Sequence, residues 1–120
     1  MKIAFSTSGA DLSAPLDTRF GRAPKFLVYD TDAATFELVD NTQNLNAAQG
    51  AGIQSAQRVA GTGAQALVSG HCGPKAFLVL QTAGIKVYTS SAQTIAEALK
   101  AHQDGQLAEI KSADVEGHWL

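Results

Sequence analysis

A chain of 120 residues, 45% of them apolar and 17% charged, is long enough for one domain with a buried core and too apolar for a disordered protein. Nine basic against 11 acidic side chains give a net charge of −2, which argues against a nucleic-acid-binding protein that relies on a broad basic surface. The single cysteine excludes an internal disulfide and an all-cysteine metal site built by this chain alone. The start, MKIAFSTSG, lacks the apolar run of a secretory signal, and the longest apolar run, residues 76–80, cannot span a bilayer, so we expect a cytoplasmic protein.

The first forty residues predict three strands. Residues 2–8 (KIAFSTS) alternate in polarity and precede a loop rich in Gly, Pro and Asp. Residues 26–30 (FLVYD) and 35–40 (TFELVD) are rich in β-branched and aromatic side chains. Because only the short polar segment TDAA separates them, these two strands are expected to pair as an antiparallel hairpin.

The second half predicts alternating helices and strands. Residues 53–60 carry apolar side chains at helical spacing and end at Gly61, and residues 65–70 (QALVSG) form a short buried strand. Residues 74–84 predict a helix that begins near Pro74, and residues 85–90 (IKVYTS) predict another strand. The capping box from Thr94 to Glu97 begins a last helix over residues 95–103.

The order β-β-β-α-β-α-β-α predicts an α/β domain over residues 1–120 with a mixed five-stranded sheet, and residues 106–120 form a tail without an assigned structure. Helical crossovers would bring the loops to one end of the sheet, where ligands of such folds usually bind. His102 lies on the apolar face of the last helix, which favours a partly buried structural histidine. His118 and Trp119 in the tail receive no role.

Two predicted helix starts carry glycines where a helix exposes unpaired backbone N–H groups. Gly50 and Gly52 lie at the first, and Gly73 precedes the second. Such starts attract anions, because the N–H groups form the positive end of the helix dipole and glycine allows close approach to the backbone. The alternative is that these glycines only turn the chain from loop to helix.

Four stretches together resemble the dinitrogenase iron-molybdenum cofactor biosynthesis family, the NifX-like proteins. They are TRFGRAPKFLVYD at residues 18–30, GAGIQSA at 50–56, VSGHCGPKAF at 68–77 and AGIKVYTSSAQTIAEALKAHQDGQL at 83–107. The resemblance spans residues 1 to about 107. Since the chain lacks an added domain and a long cysteine-bearing extension, it is most similar to the short stand-alone members of the orange-protein type.

The resemblance implies a ribonuclease-H-like fold without nuclease chemistry. It also implies that the protein carries a molybdenum-sulfide cluster, a molybdenum-copper sulfide cluster as in the orange-protein type, or a precursor of the iron-molybdenum cofactor, held without covalent attachment. A protein partner for cluster transfer and the oligomeric state stay open. No nucleic-acid or membrane partner is expected.

A local positive patch could serve such a cluster, because Arg19, Arg22 and Lys25 fall within seven residues that include no acid. We interpret Arg19 and Arg22 as donors of charge-assisted hydrogen bonds to the anion. The alternatives are solvated surface charges or ion pairs with Asp11, Asp17 and Asp30.

The stretch VSGHCGPKAF places His71 and Cys72 on a loop at the expected ligand end of the sheet. A thiolate at a helix start is a soft ligand for copper or molybdenum sulfide, and a histidine either coordinates copper or caps the loop. The alternative for Cys72 is packing, because cysteine is among the most often buried residues. Lys75 would add only charge. The predicted cofactor-binding residues are Arg19, Phe20, Gly21, Arg22, Gly50, Ala51, Gly52, Gly70, His71, Cys72, Gly73 and Pro74, with Cys72 and His71 as candidate metal ligands.

The residues do not support three enzymatic interpretations, namely a nucleotide-binding phosphate loop, a Cys-His nucleophile pair and a two-metal nuclease. GHCGPK has two residues between its glycines, where a phosphate loop has four, and lacks the following Ser or Thr. Neighbouring His71 and Cys72 point apart in extended chain, and the first strand offers no carboxylates for a two-metal nuclease. We therefore predict a binding protein and not an enzyme. Two alternatives stay open, an interaction module of the same fold without a cluster and a cysteine-dependent redox or transfer enzyme.

Overall fold

The computed structural model of the protein describes residues 1–41, 51–70 and 72–110. Gly50, His71 and the segment 111–120, which includes His118 and Trp119, lie outside the described residues. In chain order the elements are β1 (Lys2–Thr7), a short 3-10 helix (Phe20–Arg22), β2 (Lys25–Asp30), β3 (Thr35–Asp40), α1 (Ala51–Gly61), β4 (Ala66–Ser69), α2 (Pro74–Thr82), β5 (Lys86–Thr89), α3 (Ile95–Gln103) and β6 (Ala108–Ile110).

The strands form one mixed sheet in the order β3-β2-β1-β4-β5-β6, which confirms the predicted α/β fold class. The central strands β1, β4 and β5 are parallel, whereas β2, β3 and β6 join through antiparallel pairs. The sheet has one more strand than predicted. The additional strand, β6, lies in the segment assigned to the tail and has three residues, too few to show a period in the sequence.

Both faces of the sheet are covered, which explains why β4 is buried at every position. Side chains alternate along the strands, so each central strand contributes to two apolar clusters. On one face α1 and α2 pack over residues that include Ala4, Phe26 and Leu67. On the other face α3 and the segment around Leu16 pack over residues that include Ile3, Phe5 and Val68.

The carboxyl ends of four strands meet at one edge of the sheet. Strand β3 is antiparallel to β2, which is itself antiparallel to β1, so β3 runs in the same direction as β1, β4 and β5. The chain therefore leaves the sheet at this edge after Thr7, Asp40, Ser69 and Thr89. The 3-10 helix and the starts of α1 and α2 follow from these exits.

The predicted capping box begins α3 at Ile95 as expected. The Thr94 hydroxyl accepts a hydrogen bond from the Glu97 N–H at 3.2 Å, and the Glu97 carboxylate accepts one from the Gln93 N–H at 3.2 Å. The Ile95 and Ala96 N–H groups donate to carbonyl oxygens of the segment that precedes the 3-10 helix. The donors at the start of α3 are therefore already used.

None of the helices in the described part of the chain is long and apolar enough to cross a lipid bilayer.

Candidate functional site

A cavity of about 580 Å³ lies where the 3-10 helix and the starts of α1 and α2 meet. Its volume is in the range of about 300–1,000 Å³ that is typical of small-ligand sites. Three segments that are far apart in the chain contribute its walls. The described lining residues are Phe20 and Gly21 from the 3-10 helix, Gly52 and Ile53 from α1, and Gly73, Pro74, Lys75 and Ala76 from α2.

The start of α2 leaves backbone donors without a side-chain cap. Gly73 is the N-cap residue and makes no side-chain cap hydrogen bond, and Pro74 opens the first turn. Proline has no N–H, so the first donors of the helix are the N–H groups of Lys75 and Ala76. A Cβ added to Gly73 would meet no atom within 4 Å, so this backbone borders open space.

The 3-10 helix is anchored by Phe20. Phe20 is 2% exposed, and its ring centroid lies 5.4 Å from the ring centroid of Phe26. Both residues belong to the apolar cluster beneath α1 and α2. The Arg22 and Ala23 N–H groups donate to the Arg19 and Phe20 carbonyl oxygens at 3.3 and 3.4 Å. The turn thus presents Phe20 and Gly21 to the cavity from a fixed position.

Two fully buried polar residues, Asn41 and Ser55, connect the turn of the 3-10 helix to α1. The Asn41 Nδ2 donates to the Ala23 carbonyl at 2.8 Å and to the Ser55 hydroxyl at 3.0 Å. The Ser55 hydroxyl lies 3.5 Å from the Gly21 carbonyl oxygen. The sequence analysis missed Asn41 and Ser55, although a serine on the buried face of a predicted amphipathic helix is a signal that could have pointed to them.

Gly70 lies against the chain that leads into the 3-10 helix. A Cβ at this position would fall 2.6 Å from both the Cα and the carbonyl oxygen of Thr18. Because these are backbone atoms, the residue at this position must lack a side chain if the two loops are to touch. Gly70 therefore allows the loop after β4 to contact the loop that leads into the 3-10 helix, and it is not among the described lining residues of the cavity.

The predicted basic residues differ in their surroundings. Arg19 forms a double hydrogen bond with Asp17, at 3.3 Å from each of Nε and Nη2, which raises the pKa of the guanidinium above its ordinary value. This ion pair is one of the alternatives considered from the sequence. Arg22 is exposed next to Gly21, and Lys25 lies in β2 opposite Asp40. Among the described lining residues Lys75 has the one charged side chain.

Cys72 is 1% exposed and packs in the cluster beneath α1 and α2. It is not among the described lining residues of the cavity. Within the described residues no three His, Cys, Asp or Glu side chains are grouped to hold a metal ion. The other candidate ligand, His71, lies outside the described residues.

His102 lies on α3, on the other face of the sheet from the cavity. Its ring meets Tyr88 edge to face, with the centroids 4.8 Å apart, and its buried Nδ1 has no hydrogen-bond partner among the described residues. Burial lowers the pKa of His102 below its ordinary value. This placement fits the structural role expected from the sequence.

Comparison with known proteins places the chain in a family. The family model described as dinitrogenase iron-molybdenum cofactor matches residues 1–105. An uncharacterized protein of Methanocaldococcus jannaschii is 32% identical in an alignment of 114 residues, with 92% of this chain and 92% of that protein covered.

Two solved structures combine a similar fold with substantial identity. The apo form of the orange protein from Desulfovibrio gigas has a TM-score of 0.89 and 40% identity, covering 92% of this chain and 93% of that one. A Thermotoga protein with a known NMR structure has a TM-score of 0.79 and 36% identity, covering 90% and 91%. On the match over residues 1–105, the chain belongs to the dinitrogenase iron-molybdenum cofactor family.

Proposed function

We propose that the protein binds and carries an anionic molybdenum-sulfide cluster, non-covalently, in the cavity between the 3-10 helix, α1 and α2. The cluster would be of the molybdenum-copper sulfide type or a precursor of the iron-molybdenum cofactor. Family membership and the similarity to the orange protein support the class of ligand. The observation that carries the proposal is that Gly21, Gly52 and Gly73, one glycine from each of the FGR, GAG and GHCGP stretches, line one cavity.

The cavity suits an anion whose metals are already saturated by sulfide. Such a cluster needs hydrogen-bond donors and positive potential more than a set of protein ligands. The starts of α1 and α2 supply N–H groups at the positive ends of two helix dipoles. The Lys75 side chain adds a formal positive charge at the same wall.

The apolar part of the lining favours sulfide over oxide. Phe20, Ile53 and Pro74 cannot replace the water that a small oxyanion such as molybdate holds. A larger sulfide cluster spreads its charge over polarizable atoms and loses less hydration when it contacts these walls. The cavity should therefore prefer thiomolybdate species to molybdate.

Arg19 and Arg22, at the start and the end of the 3-10 helix, would contribute through charge-assisted hydrogen bonds. A charge-assisted hydrogen bond is worth about 1.5–3 kcal/mol where it is partly shielded from water. Arg22 follows Gly21 directly and could add such a bond at the cavity wall. Arg19 could also contribute, but its guanidinium would be shared with Asp17.

This mode of binding does not require Cys72 or His71 as metal ligands. For Cys72 to reach a cluster, its thiol would have to leave the apolar cluster in which it is packed. Binding through N–H groups and cationic side chains needs no thiolate. The proposed activity is accordingly binding and carrying, without a catalytic step.

The test is reconstitution of metal-free protein with tetrathiomolybdate and copper(I), followed by desalting. We expect a stable visible chromophore and bound molybdenum and copper by elemental analysis, whereas molybdate with copper should leave no bound molybdenum. The Arg22→Glu variant should retain less cluster than the Lys100→Glu variant, because Lys100 lies on α3. Colourless, metal-free protein after desalting would contradict the proposal, and co-purification of such protein with a partner would support the interaction-module alternative.

A further inference from the structure

We infer that Asn41 and Ser55 are positioning residues that hold the 3-10 helix against α1 and so keep one wall of the cavity formed before a cluster arrives. Neither residue is among the described lining residues. Both are fully buried. The inference rests on the proposed function for its consequence in binding, but the positioning itself can be tested in the metal-free protein.

Asn41 and Ser55 connect the 3-10 helix to α1, two of the elements that line the cavity. Asn41 directly follows β3, and Ser55 lies in the second turn of α1, two residues after the lining residue Ile53. From there they reach three carbonyl oxygens of the turn. Asn41 donates from Nδ2 to Ala23 at 2.8 Å and from its backbone N–H to Pro24 at 2.8 Å, and the Ser55 hydroxyl lies 3.5 Å from the Gly21 oxygen.

The two side chains also hold each other. The Asn41 Nδ2 donates to the Ser55 hydroxyl at 3.0 Å, and the hydroxyl has the Asn41 Oδ1 within 3.3 Å for its own proton. A buried network of this kind permits one arrangement of its members, because a shift of the turn would leave buried donors and acceptors unpaired. The 3-10 helix is thus held in place by polar contacts as well as by the Phe20 ring.

The network has an electrostatic consequence for an anion. Carbonyl oxygens carry partial negative charge and would repel a polyanion if they turned toward the cavity. The oxygens of Arg19 and Phe20 accept from the Arg22 and Ala23 N–H groups within the turn. Those of Ala23 and Pro24 accept from Asn41, so these four oxygens are already engaged by donors of the protein.

The experiment compares two hydroxyl deletions, one in the second turn of α1 and one just after its last residue, Gly61. Ser55→Ala removes the hydroxyl beside the turn, and Thr62→Ala removes one that donates to the Val59 carbonyl at the far end of the helix. We expect Ser55→Ala to weaken retention of the tetrathiomolybdate-copper cluster about tenfold, since a buried partner loses its hydrogen bond. Thr62→Ala should leave retention within about twofold of wild type.

A second measurement follows the turn itself without any cluster. Amide hydrogen exchange of Ala23 in the metal-free protein should accelerate in Ser55→Ala and in Asn41→Asp, which replaces the amide donor by an acceptor, and should be unchanged in Thr62→Ala. Cluster retention and Ala23 exchange that match Thr62→Ala in both variants would overturn the inference. If wild-type protein takes up no cluster, the proposed function fails while the exchange rates still decide the positioning role.

Discussion

The backbone of Thr18 lies directly on Gly70, so close that a Cβ on the glycine would come within 2.6 Å of the Thr18 Cα and carbonyl oxygen. The contact joins the loop after β1 to the loop after β4. Just ahead of it, the Ser6 hydroxyl donates to the Asp17 carbonyl at 2.6 Å and lies 2.8 Å from the Ser69 hydroxyl. The two loops are therefore held together by backbone contact and hydrogen bonds where they leave the sheet.

Gly70→Ala should destabilise the protein by about 1–3 kcal/mol, because the added methyl group would have to displace backbone atoms and not a flexible side chain. Urea unfolding of the metal-free protein measures this loss. Gly73→Ala is the matched control, since its Cβ would meet no atom within 4 Å and its φ of −65° suits any residue. Equal midpoints for the two variants would show that the loops separate easily.

Local signals in the sequence were sufficient for most of the fold. Strand alternation, the Pro74 start of α2 and the capping box at Thr94 and Glu97 depend on neighbours within a few residues, and the elements that they predict begin within one residue of the predicted positions. Convergence of the loops at one sheet edge followed from the order of the elements. The third strand, β3, does not alternate between buried and exposed side chains, because it is an edge strand and most of its side chains are exposed.

The parts that the sequence did not predict depend on contacts between distant residues. The partner of Arg19 could have been any of three nearby carboxylates, and only the folded loop selects Asp17. The Asn41 and Ser55 pair spans 14 positions and has no sequence motif. Cys72 lies in a loop, where no periodicity of the sequence indicates whether a side chain faces a ligand or the core.

Lys75→Gln should have opposite effects on stability and on binding. A lysine in the first turn of a helix opposes the helix dipole, so its removal should stabilise the metal-free protein by about 0.3–1 kcal/mol. The same change removes the charge at the cavity wall and should weaken cluster retention. Thermal unfolding and the desalting assay measure the two effects.

The control for this prediction is Lys100→Gln. Lys100 lies in the last turn of α3, where a positive charge is favourable, and it pairs with Asp104 at 3.5 Å. Its removal should slightly lower stability and leave cluster retention unchanged. If Lys75→Gln instead lowered the unfolding temperature and retained the cluster fully, Lys75 would be an ordinary surface residue.

The Cys72 thiol should react slowly with iodoacetamide in the native metal-free protein, because it is 1% exposed. In denaturant the same thiol should react at the rate of a simple peptide thiol. Cys72→Ala should retain the cluster and lose about 1 kcal/mol of stability from the smaller side chain. Rapid native alkylation would support the redox-enzyme alternative, and loss of the cluster without loss of stability would make Cys72 a ligand.

The stability of the protein should fall as the pH drops through the ordinary His102 pKa of 6.5. Burial against Tyr88 lowers the pKa of His102 in the folded state, so between the two pKa values the unfolded chain binds more protons. Protonation therefore favours unfolding, and the contribution of His102 is complete above pH 6.5 and lost as the pH falls toward the folded pKa. Thermal unfolding between pH 5 and 7.5 should show a smaller loss in His102→Leu than in wild type, and parallel curves would show that the imidazole is solvated in the folded protein. The carboxyl pKa values of Asp11 and Asp30 are lowered from 3.8 by hydrogen bonds, so these two groups affect stability only below this pH window.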